Sequence, residues 1–442
     1  MSLTQSSDNL IIFVVLPSQS LLGHIRVPGD KSISHRSIMM GALAEGKTTI
    51  TGFLEGEDTL ATLKAFRELG VLIKGPENGK VEIFGVGIHG LQAPSDPIYL
   101  GNSGTSMRIL AGLFSGQSFD TTLEGDISLS KRPMKRVCDP LAQMGAVIET
   151  TDKGTPPLYI HGNRALNGIN YNMPIASAQV KSSLIFAGLY AKDKTCITEP
   201  APTRDHTEKM LAGFGYPIEK KDNSICIMGG RKLHSTEIDI PADISSAAFF
   251  MVGAAISQGS EVILEHVGIN PTRTGIINIL KLMGAQIEVE ELGTVGGESV
   301  GTIYVRSSQL HGIDIPKHLV PLAIDEFPAL FIAAACAKGT TTLSGAEELR
   351  VKESDRIQVM ADGLNTLGIK AQSTPDGIII EGGKIKGGLV YSHGDHRCAM
   401  SFAMAALASQ DAITINDCAN VATSFPGFLE LASNAGLAIR AI

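Results

Sequence analysis

The sequence predicts an α/β protein of two similar domains, each built from three βαβαββ repeats, with its working cleft between the two. Three observations carry this prediction. An amphipathic helix that runs into a glycine and then a short strand recurs six times, as FRELGVLIK at Gly70, LAQMGAVIE at Gly145, LAGFGYPIE at Gly215, LKLMGAQIE at Gly284, LNTLGIKAQ at Gly368 and LASNAGLAI at Gly436. The spacings are 75, 70, 69, 84 and 68 residues, and self-similarity at a steady period marks a repeat architecture. A second phrase, an almost wholly apolar helix followed by a small loop and a β-branched strand, recurs with the same period. Glycine supplies 48 of 442 residues against a usual ~7%, as a chain with many tight turns and element ends requires.

Taken in order, the apolar phrases read SIMMGALAEGKTTITGF, a weaker MRILAGLFSGQSFDTTLEG, SSLIFAGLYAKDKTCIT, AAFFMVGAAISQGSEVIL, ALFIAAACAKGTTTLSG and AMSFAMAALASQDAITIND. Helices apolar nearly all round belong in the interior, whereas the amphipathic helices of the first phrase lie partly on the surface. The glycine closing each amphipathic helix suits a C′ position, which favours a left-handed backbone. Each unit therefore holds a buried helix, a strand, a second helix and two strands. The lead-in 21–28 has no repeat of its own and is assigned to the C-terminal half. One domain then comprises 1–28 with 244–442 and the other 29–243, the chain crossing near Pro28–Gly29 and Pro241–Asp243. The apolar run 10–16 is too short to span a bilayer. No Lys or Arg precedes it, so it fits a signal peptide poorly; residues 1–20 are read as a leader, or the run as a packed strand.

Composition narrows the function. Hydrophobic residues make up 43% and charged residues 19%, with a net charge of −8, an ordinary globular balance that argues against general disorder. Without a run of Lys and Arg, nucleic-acid binding is not expected. Six cysteines form no CxxC pair, which argues against a zinc site or disulfide framework and for a reducing cytosol. Gly41, Gly46, Lys47 and Thr48 satisfy the P-loop pattern, but the glycines end a helix and a strand follows, the reverse of the order phosphate binding needs. His393 and His396 lack the i, i+4 spacing of a zinc helix.

The polar residues instead gather at the starts of the buried helices: DKSISHR (30–36), GNSGTSMR (101–108), SAQVK (177–181), DISS (243–246), DEFP (325–328) and GDHR (394–397). Helix N-termini carry unpaired N–H groups and about half a positive charge, so several facing one cleft make an anion site. Cations cluster on the loops, as Lys131, Arg132 and Arg136, Arg204, Arg273, and Arg350, Lys352 and Arg356. Guanidinium groups suit phosphate and carboxylate.

DKSISHR, GNSGTSMR, KRPM, SAQVK, DEFPAL, LRVKESDR and GDHRCAM, in this order, resemble the 5-enolpyruvylshikimate-3-phosphate synthase family from about residue 23 to the end. SAQVK and RPMKR resemble its class II branch. The resemblance implies the enolpyruvyl-transferase fold of two three-unit domains. It implies transfer of the enolpyruvyl group of phosphoenolpyruvate to the 5-hydroxyl of shikimate 3-phosphate, with release of phosphate, in aromatic amino acid biosynthesis. Carried over by motif, Lys31, Ser32 and Arg36 form the first cluster, and Lys31 touches both substrates. Gly104 and Arg132 contact phosphoenolpyruvate. Ser177, Ala178 and Gln179 line the shikimate ring and phosphate, with Arg204 also on that phosphate. Asp325 and Lys352 hold the hydroxyls, and Arg356 and Arg397 clamp phosphoenolpyruvate.

Enolpyruvyl transfer by addition and elimination needs an acid, a base and charge neutralisation, and the expectation is neither metal nor cofactor. Asp325 is the candidate base for the 5-hydroxyl, Glu353 the candidate proton donor to carbon, and Lys31 assists protonation or phosphate departure. The chain is expected to be a cytoplasmic monomer that binds neither nucleic acid nor membrane. Thr423 stands where class I members carry Lys, which removes one contact to phosphoenolpyruvate. Gly104, where tolerant relatives carry Ala, leads to the expectation that glyphosate inhibits. Two rivals stand beside this reading. The sister transferase acting on UDP-N-acetylglucosamine has Lys-Asn where this chain has Lys31-Ser32, and a non-catalytic phosphate-binding scaffold would not explain Asp325 and Glu353.

Overall fold

The computed structural model describes residues 11–442. Among them are six small sheets, one for each glycine-ended phrase. Five share a plan that the third shows fully. Asn170–Asn172 runs parallel to Lys194–Thr198, which pairs antiparallel with Ser224–Met228, and Glu219–Lys221 adds the outer edge. The six phrase glycines all take positive φ, from 76° at Gly215 to 114° at Gly436, the left-handed backbone that let them be read as helix ends.

The apolar helices are interior as their composition requires. Every residue of Ile244–Ile256 but the last is buried, as is every residue of Phe327–Cys336 but the last. The amphipathic Lys135–Gln143 buries only Val137, Cys138, Pro140 and Leu141. The apolar side chains form two clusters, one from Ile33 to Ile240, the other from Phe13, Val15, Leu21, Ile25 and Val27 joined to residues 242–437. We call these lobe one and lobe two.

Both lobes are closed by strands distant in sequence. In lobe one, Leu233–His234 and Glu237–Asp239 return to lie parallel to Ala44–Thr51. In lobe two, Leu22–Ile25 lies parallel to Glu261–Gly268, and Phe13–Val15 is inserted antiparallel between Ile413–Asn416 and Ile439–Ala441. Phe13–Val15 of the apolar run is thus a packed strand; residues 1–10 lie outside the described residues. The two chain crossings lie against each other. The Asp30 N–H donates to the Pro241 carbonyl at 2.8 Å and the Asp243 N–H to the Pro28 carbonyl at 2.9 Å. Gly29 is required here, since a Cβ would fall 1.8 Å from the Gly52 carbonyl oxygen.

One expectation is overturned. Cys196 and Cys226 oppose each other in register on neighbouring strands, with Cα atoms 4.1 Å apart, and form a disulfide. Cross-strand register over a separation of 30 residues leaves no mark in cysteine spacing, so the pair was invisible to the sequence. The P-loop pattern falls as expected, with Gly41 inside the Lys31–Leu43 helix and Lys47 in the Ala44–Thr51 strand that follows. No helix among the described residues is long and apolar enough to cross a membrane.

Candidate active site

Five of the six interior helices open on a side chain that accepts from their own first turn. Asp30 accepts from the Ile33 N–H at 2.9 Å, Ser103 from Ser106 at 3.2 Å and Ser177 from Val180 at 3.4 Å. Asp243 accepts from Ser245 and Asp395 from Arg397, both at 2.9 Å. Such caps satisfy one orphan donor each and aim the first helical residues outward. Those residues meet between the lobes around a cavity of about 70 Å³, which adjoins a wider one of about 630 Å³.

The inner wall brings together Lys31, Ser32, Gly104, Arg132, Gln179, Arg204, Asp325, Lys352, Glu353, Arg356 and Arg397. Ser177 and Ala178 line the wider cavity, which shares Gln179, Arg204, Asp325 and Lys352 with the inner one. Arg36 alone among the expected residues stands behind these walls. It is 3% exposed and donates to the Ser32 carbonyl at 2.9 Å, Thr207 at 2.7 Å and Ser182 at 2.8 Å. Its side chain reaches the Ala178–Gly188 and His206–Gly213 helices, whose Ser182 and Thr207 hydroxyls accept from it.

Charge is unevenly distributed over the inner cavity, whose lining holds eight Lys and Arg side chains against four carboxylates. Asp325 is gripped from both lobes, by Arg204 of lobe one and by Lys352 at 3.4 Å and Arg356 at 3.3 Å, while Arg397 donates to its backbone carbonyl at 3.2 Å. Glu353 bonds Arg356 and, across the cleft, Arg132 at 3.2 Å. Burial would raise both carboxyls, but the surrounding cations outweigh it. Arg204 and Lys352 foremost hold Asp325 well below the carboxylate range, and Arg356 and Arg132 do the same for Glu353. Arg356 is anchored in turn by Asp395 at 2.8 Å. Lys31 is paired with Asp58.

Sequence reasoning missed several lining residues. Arg108 was inside a quoted motif but unassigned. Its guanidinium bonds only neutral groups, Gln179 and the Pro133 carbonyl, and its Nε is buried without a partner. Burial, then the nearby Arg136 and Arg132, bring its pKa down to about 10, so it is a cation short of an anion. Asn102, which accepts from Arg132, stood in the same motif. Asp58 opens a surface helix and carried no signal. His396, in the GDHR motif, is held neutral by burial and then Lys31, its pKa falling to about 3.

The sequence profile of EPSP synthase (3-phosphoshikimate 1-carboxyvinyltransferase) matches residues 15–431. The chain is 71% identical over 434 residues to the 3-phosphoshikimate 1-carboxyvinyltransferase of Nitrosococcus oceani, covering 98% of each. It is 64% identical over 433 residues to that of Methylococcus capsulatus, covering 98% of this chain and 99% of the relative. It superposes on the EPSP synthase of Acinetobacter baumannii with a TM-score of 0.87 at 59% identity, over 98% of this chain and all of that one. A family match spanning nearly the whole chain, on a two-lobed fold whose cleft is lined by surplus cations, places this protein in the EPSP synthase family of transferases.

Proposed function

We propose that the cleft between the lobes is where this transferase moves the enolpyruvyl group of phosphoenolpyruvate onto the 5-hydroxyl of shikimate 3-phosphate. The observation that carries the site assignment is the surplus of four positive charges on the inner wall. The two substrates bring two phosphate groups, about −1.5 to −2 each, and two carboxylates. Arg132, Arg356 and Arg397 with the Gly104 backbone take phosphoenolpyruvate. Ser177, Ala178, Gln179 and Arg204 take the shikimate phosphate and ring, Lys352 and Asp325 the hydroxyls, and Lys31 with Ser32 lies between the two ligands. Arg36, which donates to the Ser32 carbonyl, completes this substrate-binding cluster with Lys31 and Ser32.

Asp325 takes the proton of the 5-hydroxyl while its oxygen attacks C2 of phosphoenolpyruvate and Glu353 delivers a proton to C3. Loss of a C3 proton and of phosphate then restores the double bond. Arg132 and Arg356 both donate to Glu353 in the cleft. An incoming phosphate and carboxylate draw these guanidiniums away and add negative charge beside Glu353. Both effects raise its pKa and make it the acid the first step needs. Asp325, which Lys352 still faces, stays ionised and is the base. The reading includes a monomer, since one chain supplies both walls.

A coupled phosphate-release assay tests it. Release is expected only with both substrates present. Release from phosphoenolpyruvate with UDP-N-acetylglucosamine instead, or tight binding without release, would overturn the reading.

A further inference from the structure

Arg273 is used by none of the steps above, yet its guanidinium joins residues of both lobes. It is 3% exposed. Its Nη1 donates to Asp30 at 3.0 Å and lies 3.5 Å from His206 Nε2. Its Nη2 donates to Asp243 at 3.2 Å and Ser245 at 2.6 Å and lies 3.5 Å from Glu326. Ser245 also donates to Glu326, whose second oxygen is buried without a partner. Each carboxylate stands at a particular place. Asp30 caps the helix whose first residue is Lys31, and it sits on one chain crossing, bonded to Pro241. Asp243 caps the Ile244–Ile256 helix on the other crossing. Glu326 directly follows Asp325 and directly precedes the Phe327–Cys336 helix.

We propose that Arg273 is a positioning residue, which fixes the Lys31 ammonium of lobe one against the Asp325 carboxylate of lobe two by gripping the residue beside each. The inference rests on the placement of Lys31 and Asp325 at the reacting atoms. A side chain free to bend at either crossing would let the two reacting groups drift apart. The two Nη groups of a rigid planar fork hold both neighbours at once, which a lysine cannot do. Asp30 is drawn down to about 2 against the effect of burial, first by Arg273, so its grip is an ionic one.

The test uses variants that keep the fold. In Asp30→Asn the amide oxygen still caps Ile33 but the charge facing Arg273 is gone. Glu326→Gln removes the charge on the other side. Each is expected to lower kcat about 10- to 100-fold, the scale of a ~1 Å misplacement of a reacting group, with both KM values within about threefold, because neither residue binds substrate. Arg273→Lys is not expected to restore the rate. Adding Asp30→Asn to Arg273→Met is expected to lower kcat no further, since both remove one link. If Asp30→Asn or Glu326→Gln, with a melting temperature like the parent's, keeps the parent's kcat, the proposal is overturned. Lys31→Met separates the two readings. Its retained turnover would defeat the placement of Lys31, whereas its loss beside an unaffected Asp30→Asn defeats only the role of Arg273.

Discussion

At position 104 the absent side chain decides the chemistry. A Cβ there would lie 2.9 Å from Arg132 Nη1, so Gly104→Ala must displace the guanidinium assigned to phosphoenolpyruvate. The expected result is a KM for phosphoenolpyruvate raised about tenfold, one charge-assisted bond weakened by about 1.4 kcal/mol, with weaker glyphosate inhibition. Steady-state competition kinetics on both proteins check this, and no inhibition of the parent at millimolar glyphosate would remove its basis. Lys31→Met and Asp325→Ala are expected to cut turnover by orders of magnitude with circular dichroism unchanged; wild-type-like turnover in either would defeat its assigned role. These residues were legible because each sits in a compact motif at a helix start. Asp58 was not, because its pairing with Lys31 is made by packing between two helices and by no local pattern.

Among the elements, the Lys31–Leu43 helix carries a titration signature. His35 within it is fully buried and bonds Thr62 at 2.9 Å and Ser106 at 3.1 Å. Burial, then the charges of Lys31 and Arg36, push its pKa well below the ordinary histidine value. A base with a depressed folded pKa is protonated first in the unfolded chain. Its contribution to stability is therefore complete above about pH 6.5 and is lost as pH falls below that, at up to about 1.4 kcal/mol per pH unit. Denaturant melts between pH 7 and pH 5 are expected to show this slope, and His35→Gln to reduce it; equal slopes in both proteins would reject the assignment. The glycine ends and apolar helices were readable because a left-handed turn and a fully enclosed surface each demand particular residue types locally. Arg273 and its partner Asp30 alone stand 243 positions apart, so only the fold assembles the cluster.

For the whole molecule, the cleft is closed by ion pairs between lobes: Arg132 with Glu353, Arg136 with Glu348 at 2.7 Å, and Arg204 with Asp325. Arg136 and Glu348 remain about a quarter exposed and are screened by salt. Small-angle scattering of the empty protein is expected to show a radius that grows with ionic strength, and shikimate 3-phosphate to reduce it by bridging the lobes. A radius indifferent to the substrate would exclude closure. The two-lobed plan was visible as six periods, but not which strand completes which sheet. Phe13 pairs with both Ile415 and Ala441, and Leu22 with Glu261. During synthesis at about 5–20 residues per second, Phe13–Val15 therefore waits roughly 20–85 s for its last neighbour and Leu22–Ile25 roughly 12–50 s for its partner, while the lobe encoded between is already assembling. An apolar edge left unmatched for so long invites mispairing with another nascent chain, so chaperone demand should track lobe two rather than lobe one.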